Sequence, residues 1–294
     1  MQNFFKLVPV FWWLVTVVSA EESHPGHDHE HVSAPASGGF LEPYQHIHFS
    51  SGGTPLVHSF GVEPAFLGRD LFLDYRYRSG DGLVENELEL ELEWAFTRRL
   101  GVIVEVPYLF EKEDGGASVD GFGDLAIVPR AILLERDRFI LSSQIEVETP
   151  TGTNGLGGET AIAPGLLAWL DLGDWWTLNT QLAVEHSFSD DETEFLFGFG
   201  LVKSIGQLGS SSPVGEVSGD HDHPTLAGLL NLHLEVTGSV GLDGEEQGEV
   251  YAEGLVGLSY GVNAQMDLRV GYEFPLTSPR EFDGGLVAGL VWHF

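Results

Sequence analysis

Between Glu85 and Phe96 the chain alternates in chemistry. Leu88, Leu90, Leu92, Trp94 and Phe96 hold one set of positions, and Glu85, Glu87, Glu89, Glu91 and Glu93 the other. A helix would scatter those carboxylates around its whole circumference. A strand sends one set to each face. The same period recurs in the segment before it, where Leu71, Leu73, Tyr75 and Tyr77 oppose Phe72, Asp74, Arg76 and Arg78. Further on, Leu230, Leu232, Leu234 and Val236 oppose Asn231, His233 and Glu235. The final residues repeat it, with Leu286, Ala288, Leu290, Trp292 and Phe294 on one face and Val287, Gly289, Val291 and His293 on the other. From Ala65 onward about twelve such runs can be counted. The chain is therefore all-β, and each strand has a greasy face and a wet one.

Two arrangements can hide twelve greasy faces: a sandwich that turns them inward, or a barrel that turns them out to lipid. Link lengths favour the barrel. Short links near Arg98-Arg99, Arg136-Asp137, Leu172-Gly173 and Tyr260-Gly261 alternate with longer ones at 111–120, 149–159, 238–248 and 275–284. An even strand number returns both chain ends to the side of the short links. The link from Ile205 to Pro224 breaks the alternation, being long on the short-turn side. Tyr and Trp near strand ends fit the interface girdles of a membrane barrel.

Residues 1–20 read as a secretory signal peptide, with Lys6 in the n-region, an apolar stretch from Leu7 to Val18, and a small-residue cleavage site ending at Ala20. The apolar stretch is short for a membrane helix, which needs about 20 residues. Three segments follow: the signal peptide, a His-rich irregular arm or plug over residues 21–64, and a barrel over residues 65–294. Asp and Glu number 45 against 13 Lys and Arg, for a formal net charge of −32. Such a surface repels nucleic acid and attracts cations. There is no cysteine, so neither disulfides nor thiol chemistry are available.

Several short motifs resemble known outer-membrane proteins. A strand ending in an aromatic at the C-terminus resembles the closing strand of bacterial outer-membrane barrels. In those proteins the terminal aromatic is read by the barrel-assembly machinery. Glu105-Val106-Pro107-Tyr108, then Gly121-Phe122-Gly123-Asp124-Leu125, then Thr149-Pro150-Thr151-Gly152 with Gly155 and Gly157 beyond, resemble the transporter barrels labelled "MetA-pathway of phenol degradation". The resemblance implies an antiparallel transmembrane β-barrel of about twelve strands in the lipid bilayer of a Gram-negative outer membrane, with periplasmic termini. It also implies passage of a small solute, without establishing phenol as that solute.

Three histidine groups stand apart from this pattern. His24, His27, His29 and His31 interleave with Asp28 in the arm, His46 and His48 follow, and His221-Asp222-His223 falls in the long link. Imidazole and carboxylate donors suit Zn(II), Cu(II) or Ni(II), and all three groups fall on the side expected to be periplasmic. A solvated acidic arm with incidental histidines is the competing account. The expected lumen lining is Glu85, Glu87, Glu89, Glu91, Glu93, Glu105, Asp124, Glu146, Glu148 and Glu185, with Arg76 and Arg78 as partial counter-charges. No enzyme is expected: His186 and Ser187 are adjacent in a strand and so point to opposite faces. The leading expectation is passive or facilitated passage of a small solute, linked to divalent metal. The alternative is a non-conducting barrel that binds metal or a periplasmic partner.

Overall fold

The computed structural model describes residues 40–80, 82–113, 115–206, 225–244, 246–280 and 282–294. The signal segment, the arm histidines His24, His27, His29 and His31 with Asp28, and His221, Asp222 and His223 all lie outside the described residues.

Thirteen strand segments form one antiparallel sheet closed on itself. They are β1 (Arg69–Gly80), β2 (Leu83–Ala95), β3 (Leu100–Glu113), β4 (Ser118–Phe122), β5 (Leu125–Arg136), β6 (Phe139–Thr149), β7 (Ala161–Gly173), β8 (Trp176–Ser187), β9 (Glu192–Ile205), β10 (Leu230–Gly241), β11 (Val250–Asn263), β12 (Met266–Pro275) and β13 (Gly284–His293). β4 and β5 both pair with β3, through Tyr108↔Phe122 and Glu105↔Ala126, so they form one stave broken at Gly123-Asp124. The barrel thus has twelve staves. Sequence neighbours pair throughout, and β1 closes the ring by pairing with both β2 and β13. At the seam Leu71 faces Trp292 and Tyr77 faces Leu286.

The strands other than β4 run from 10 to 14 residues. A tilted strand needs about 9–11 to cross a bilayer. The outward face is apolar: Leu90, Leu234, Val256, Val270 and Leu286 are each more than 40 % exposed. The inward face is polar, and Glu93, Asn179, Asn231 and Glu235 are almost fully buried. A water-soluble sandwich would have these assignments reversed.

Several links differ from the sequence expectation. The turn between β11 and β12 is at Ala264-Gln265 rather than Tyr260-Gly261. Gly261 is needed for a close approach instead. A Cβ there would lie 2.1 Å from the Leu226 carbonyl oxygen, where the long link rejoins the wall. The β7–β8 turn falls at Asp174 and Trp175, both with positive φ (49° and 59°), the conformation of a tight hairpin that follows strand twist. Most of the expected loop at 111–120 is strand, because β4 zips onto β3 from Ser118↔Lys112 to Phe122↔Tyr108. The β1–β2 link is also short, two residues after Gly80.

Leu90→Arg, outward near the middle of β2, is expected to destabilise the barrel by about 2–4 kcal/mol in vesicles. Glu91→Gln, one residue on, is expected to cost far less. Denaturant unfolding in lipid vesicles measures both.

Candidate functional site: a lumen filled by the chain's own N-terminal segment

Residues 50–68 have no regular structure, yet Leu56, Val57, Val62, Ala65, Phe66 and Leu67 are buried. An irregular segment can be buried only if its backbone groups find partners. Here the inward side chains of the barrel wall supply them. Phe60 and Gly61 donate their N–H groups to the Glu235 carboxylate of β10 at 2.9 Å. Glu63 N–H donates to Gln181 Oε1 of β8 at 3.0 Å. Arg269 of β12 donates to the Ser59 carbonyl at 2.8 Å, and Arg130 of β5 to the Pro64 carbonyl at 3.0 Å. Ser142 of β6 donates to the Ala65 carbonyl, Asn179 of β8 to Ser59 Oγ, and Thr54 to Asp171 of β7. Six of the twelve staves therefore hold one segment inside the ring.

Wall glycines make room for it. A Cβ at Gly257 of β11 would lie 2.6 Å from Phe60 Cε2, and one at Gly200 of β9 would lie 2.9 Å from Ser59 Oγ. Toward the short-turn end the segment joins an apolar cluster of Leu56, Ala65, Phe66 and Leu67 with Ala95, Ile132, Ile140, Leu167 and Trp169.

The lumen charges are organised by four arginines. Arg76 bridges Glu87 (2.7 Å) and Glu273 (3.2 Å), and Arg78 bridges Glu273 (2.9 Å) and Glu253 (3.0 Å). Arg269 pairs with Asp74, and Arg130 with Glu63 while lying 3.8 Å from Glu93. A cavity of about 200 Å3 lies above Gly61, lined by Arg76, Arg78, Glu235, Glu253 and Glu273. Glu89, Glu91, Glu105, Glu146, Glu148 and Glu185 form no ion pair among the described residues, and Glu91 stands directly opposite Glu105. Glu85 lies opposite Arg78 and Glu111 in the strand register.

Asp124 has a different role from a lining residue. Its carboxylate accepts N–H groups from Gly152 (2.7 Å), Gly158 (2.7 Å) and Glu159 (2.8 Å), and so ties down the β6–β7 loop. Thr153 Oγ1 accepts the Phe122 N–H, and Gly123 donates to the Pro107 carbonyl. The three motifs around Pro107, Gly123 and Gly152 thus meet at one corner of the barrel. A Cβ at Gly157 would lie 2.7 Å from Asp124 Oδ1, which explains the glycine there.

At the short-turn end, the stretch leading into the lumen meets the seam. Arg69 lies over the rings of both Tyr44 and Trp94 at 4.7 Å. Burial lifts the Tyr44 phenol well above its ordinary pKa, and the Asp70 and Glu93 carboxylates push it the same way. His46 Nε2 and His48 Nε2 are 2.8 Å apart, and the His48 ring is 4.9 Å from that of His293. His293 Nδ1 contacts Asp70 at 2.7 Å and its Nε2 contacts Asp267 at 3.2 Å. His58 lies on the other oxygen of Asp70 at 3.3 Å. No local sequence signal joins His293 to His46 and His48, because they meet only when the last strand closes on the first. His186 of β8 contacts Thr193 Oγ1 at 3.2 Å, away from this group.

The fold is similar to that of an outer membrane channel from Pseudomonas putida F1, at 15% identity and a TM-score of 0.54, covering 81% of this chain and 100% of that one. More distant are the KdgM porin in complex with disordered oligogalacturonate (12% identity, TM-score 0.46, 76% and 99% covered) and the NanC porin (10%, 0.47, 76% and 98%). No described protein family and no curated protein matches the chain. The first likeness is one of fold, a closed antiparallel barrel.

Arg269→Ala is expected to destabilise the protein by about 3–5 kcal/mol, because it strands the buried Asp74 carboxylate and removes the donor to the Ser59 carbonyl. Faster amide exchange at residues 57–66 than in the strands would locate the loss in the lumen segment. Unchanged exchange there would contradict the anchoring role.

Proposed function

We propose that this protein is an outer-membrane barrel that passes a small solute through an acidic lumen, with residues 50–68 setting the width of the path. One observation carries the reading: from Ser59 to Ala65 the backbone of the lumen segment is held by polar wall side chains, with its apolar cluster confined to the short-turn end. A polar contact can be exchanged for water with little net change in hydrogen bonding. The segment can therefore shift without unfolding the staves, whose own ladder is complete. The outward apolar band supports insertion in a bilayer. Phe40, bonded to Thr97 in the short β2–β3 link, and Phe294, bonded to Arg69, lie on the side of the short turns, which supports periplasmic termini. Phe294 at the end of the closing strand supports recognition by the barrel-assembly machinery.

Selectivity follows from charge. The arginines are engaged by carboxylates, while Glu89, Glu91, Glu105 and Glu146 offer carboxyl groups without an ion-pair partner among the described residues. Carboxyl groups that face each other across a strand pair, as Glu91 and Glu105 do, are relieved by a shared proton or an entering cation and repel an anion. The path therefore favours cations and neutral polar solutes over anions. The mechanism is diffusion without a chemical step. The motifs around Pro107, Gly123 and Gly152 support the resemblance to the phenol-degradation transporter barrels. The histidine groups support a link to divalent metal.

The extent of the filling also favours a second reading, a non-conducting barrel that binds metal or a periplasmic partner. Planar-bilayer recording separates the two. The intact protein is expected to give small cation-preferring currents. Glu235→Gln, which weakens the acceptor for the Phe60 and Gly61 N–H groups, is expected to raise open probability several-fold. Silence from both proteins, with the barrel folded, would establish the non-conducting reading.

A further inference from the structure

His46 and His48 belong to the stretch leading into the lumen, and His293 ends the strand that closes the barrel. One donor atom from each lies within 4.8 Å of the others. The His46 and His48 Nε2 atoms face each other at 2.8 Å, so a single proton separates two lone pairs. In a four-coordinate site with bonds of about 2.0–2.1 Å, donors sit roughly 3.3 Å apart. A small outward shift of one ring would therefore admit an ion in place of the proton.

The surroundings have the features of a metal site. Asp70 contacts His293 Nδ1 at 2.7 Å, the position from which a carboxylate orients a ligating imidazole and raises its basicity. That leaves His293 Nε2 as its ligand atom, now 3.2 Å from Asp267 Oδ2. Asp267 is buried, and its other oxygen, Oδ1, has no hydrogen-bond partner among the described residues. A buried carboxylate oxygen without a partner is costly unless something cationic satisfies it. His58 holds the far side of Asp70, completing a second layer.

We propose that His46, His48 and His293 bind one divalent transition metal of the imidazole-preferring kind, such as Zn(II), Ni(II) or Cu(II), with Asp70 as the positioning residue and the buried Asp267 carboxylate as neighbouring negative charge. The ion ties the stretch that leads into the lumen to the end of β13, beside the seam. Metal binding then stabilises the filled lumen, and metal loss releases its anchor. This role in gating rests on the reading of residues 50–68 as the element that sets the path.

The test uses the full chain, refolded in detergent, stripped with chelator and titrated with Co(II), whose visible absorption intensifies in four-coordinate sites. His24, His27, His29, His31, His221 and His223 are first replaced by Ala, so that only the described group reports. In that background one equivalent of Co(II) is expected to give the intense spectrum. His48→Ala is expected to weaken binding at least about tenfold, and Asp70→Asn to weaken it similarly. Should His48→Ala not fold, as judged by migration of the unboiled protein, the less buried His46→Gln carries the comparison. Absence of the spectrum in the background protein, or its persistence unchanged in His46→Gln, would overturn the site. Conductance is recorded on the same samples. Currents unaffected by Co(II), with the spectrum present, would remove the gating role while leaving the site. Silence in all samples, with the spectrum present, would count against the channel reading alone.

Discussion

Closure of the hydrogen-bond ring is the constraint on which everything else depends. In hydrocarbon no water is available to satisfy a strand edge, so each N–H and C=O must find a partner in the sheet. The β1–β13 pairing removes the last edge. It does so in a register that places Leu71 beside Trp292 and Tyr77 beside Leu286. Slipping β13 by one residue in that register would turn His293 toward lipid and Trp292 into the lumen. The alternation of side chains and the closure of the backbone are therefore enforced together.

A ring of twelve staves encloses more space than its own side chains fill. The barrel meets this by taking in part of its own chain. That segment has no ladder of its own, so its backbone groups are matched one by one to Glu235, Gln181, Arg269, Arg130 and Ser142 on the wall. The two kinds of bonding differ in their consequences. Ladder bonds between staves are cooperative and hidden from water. The side-chain bonds to the segment are separate contacts, each of which water could replace.

The Leu/Glu alternation in β2, the link lengths and the terminal aromatic carried the fold, because period-2 patterning is local and each strand declares its two faces. Boundaries were less visible. Gly261 looked like a turn residue, but it lies within the end of β11, pressed by the returning Leu226 carbonyl, a contact made by residues far along the chain. Asp124 looked like one more acidic wall residue. It is instead the anchor of a loop thirty residues later, and the glycines of that loop were the available hint. His46 and His48 could be singled out as a pair, whereas His293 read only as an inward residue of the last strand.

The amino-acid sequence alone determined the all-β class, the sidedness of the clearly alternating strands, the acidic character of the lumen and an even number of about twelve crossings, since these depend on spacing along one segment at a time. The tertiary structure decided what fills the ring, which carboxylates the arginines take up, and which histidine joins His46 and His48. Those outcomes depend on which staves stand opposite one another after the last strand has found the first, and no periodicity within a segment encodes a contact across the barrel.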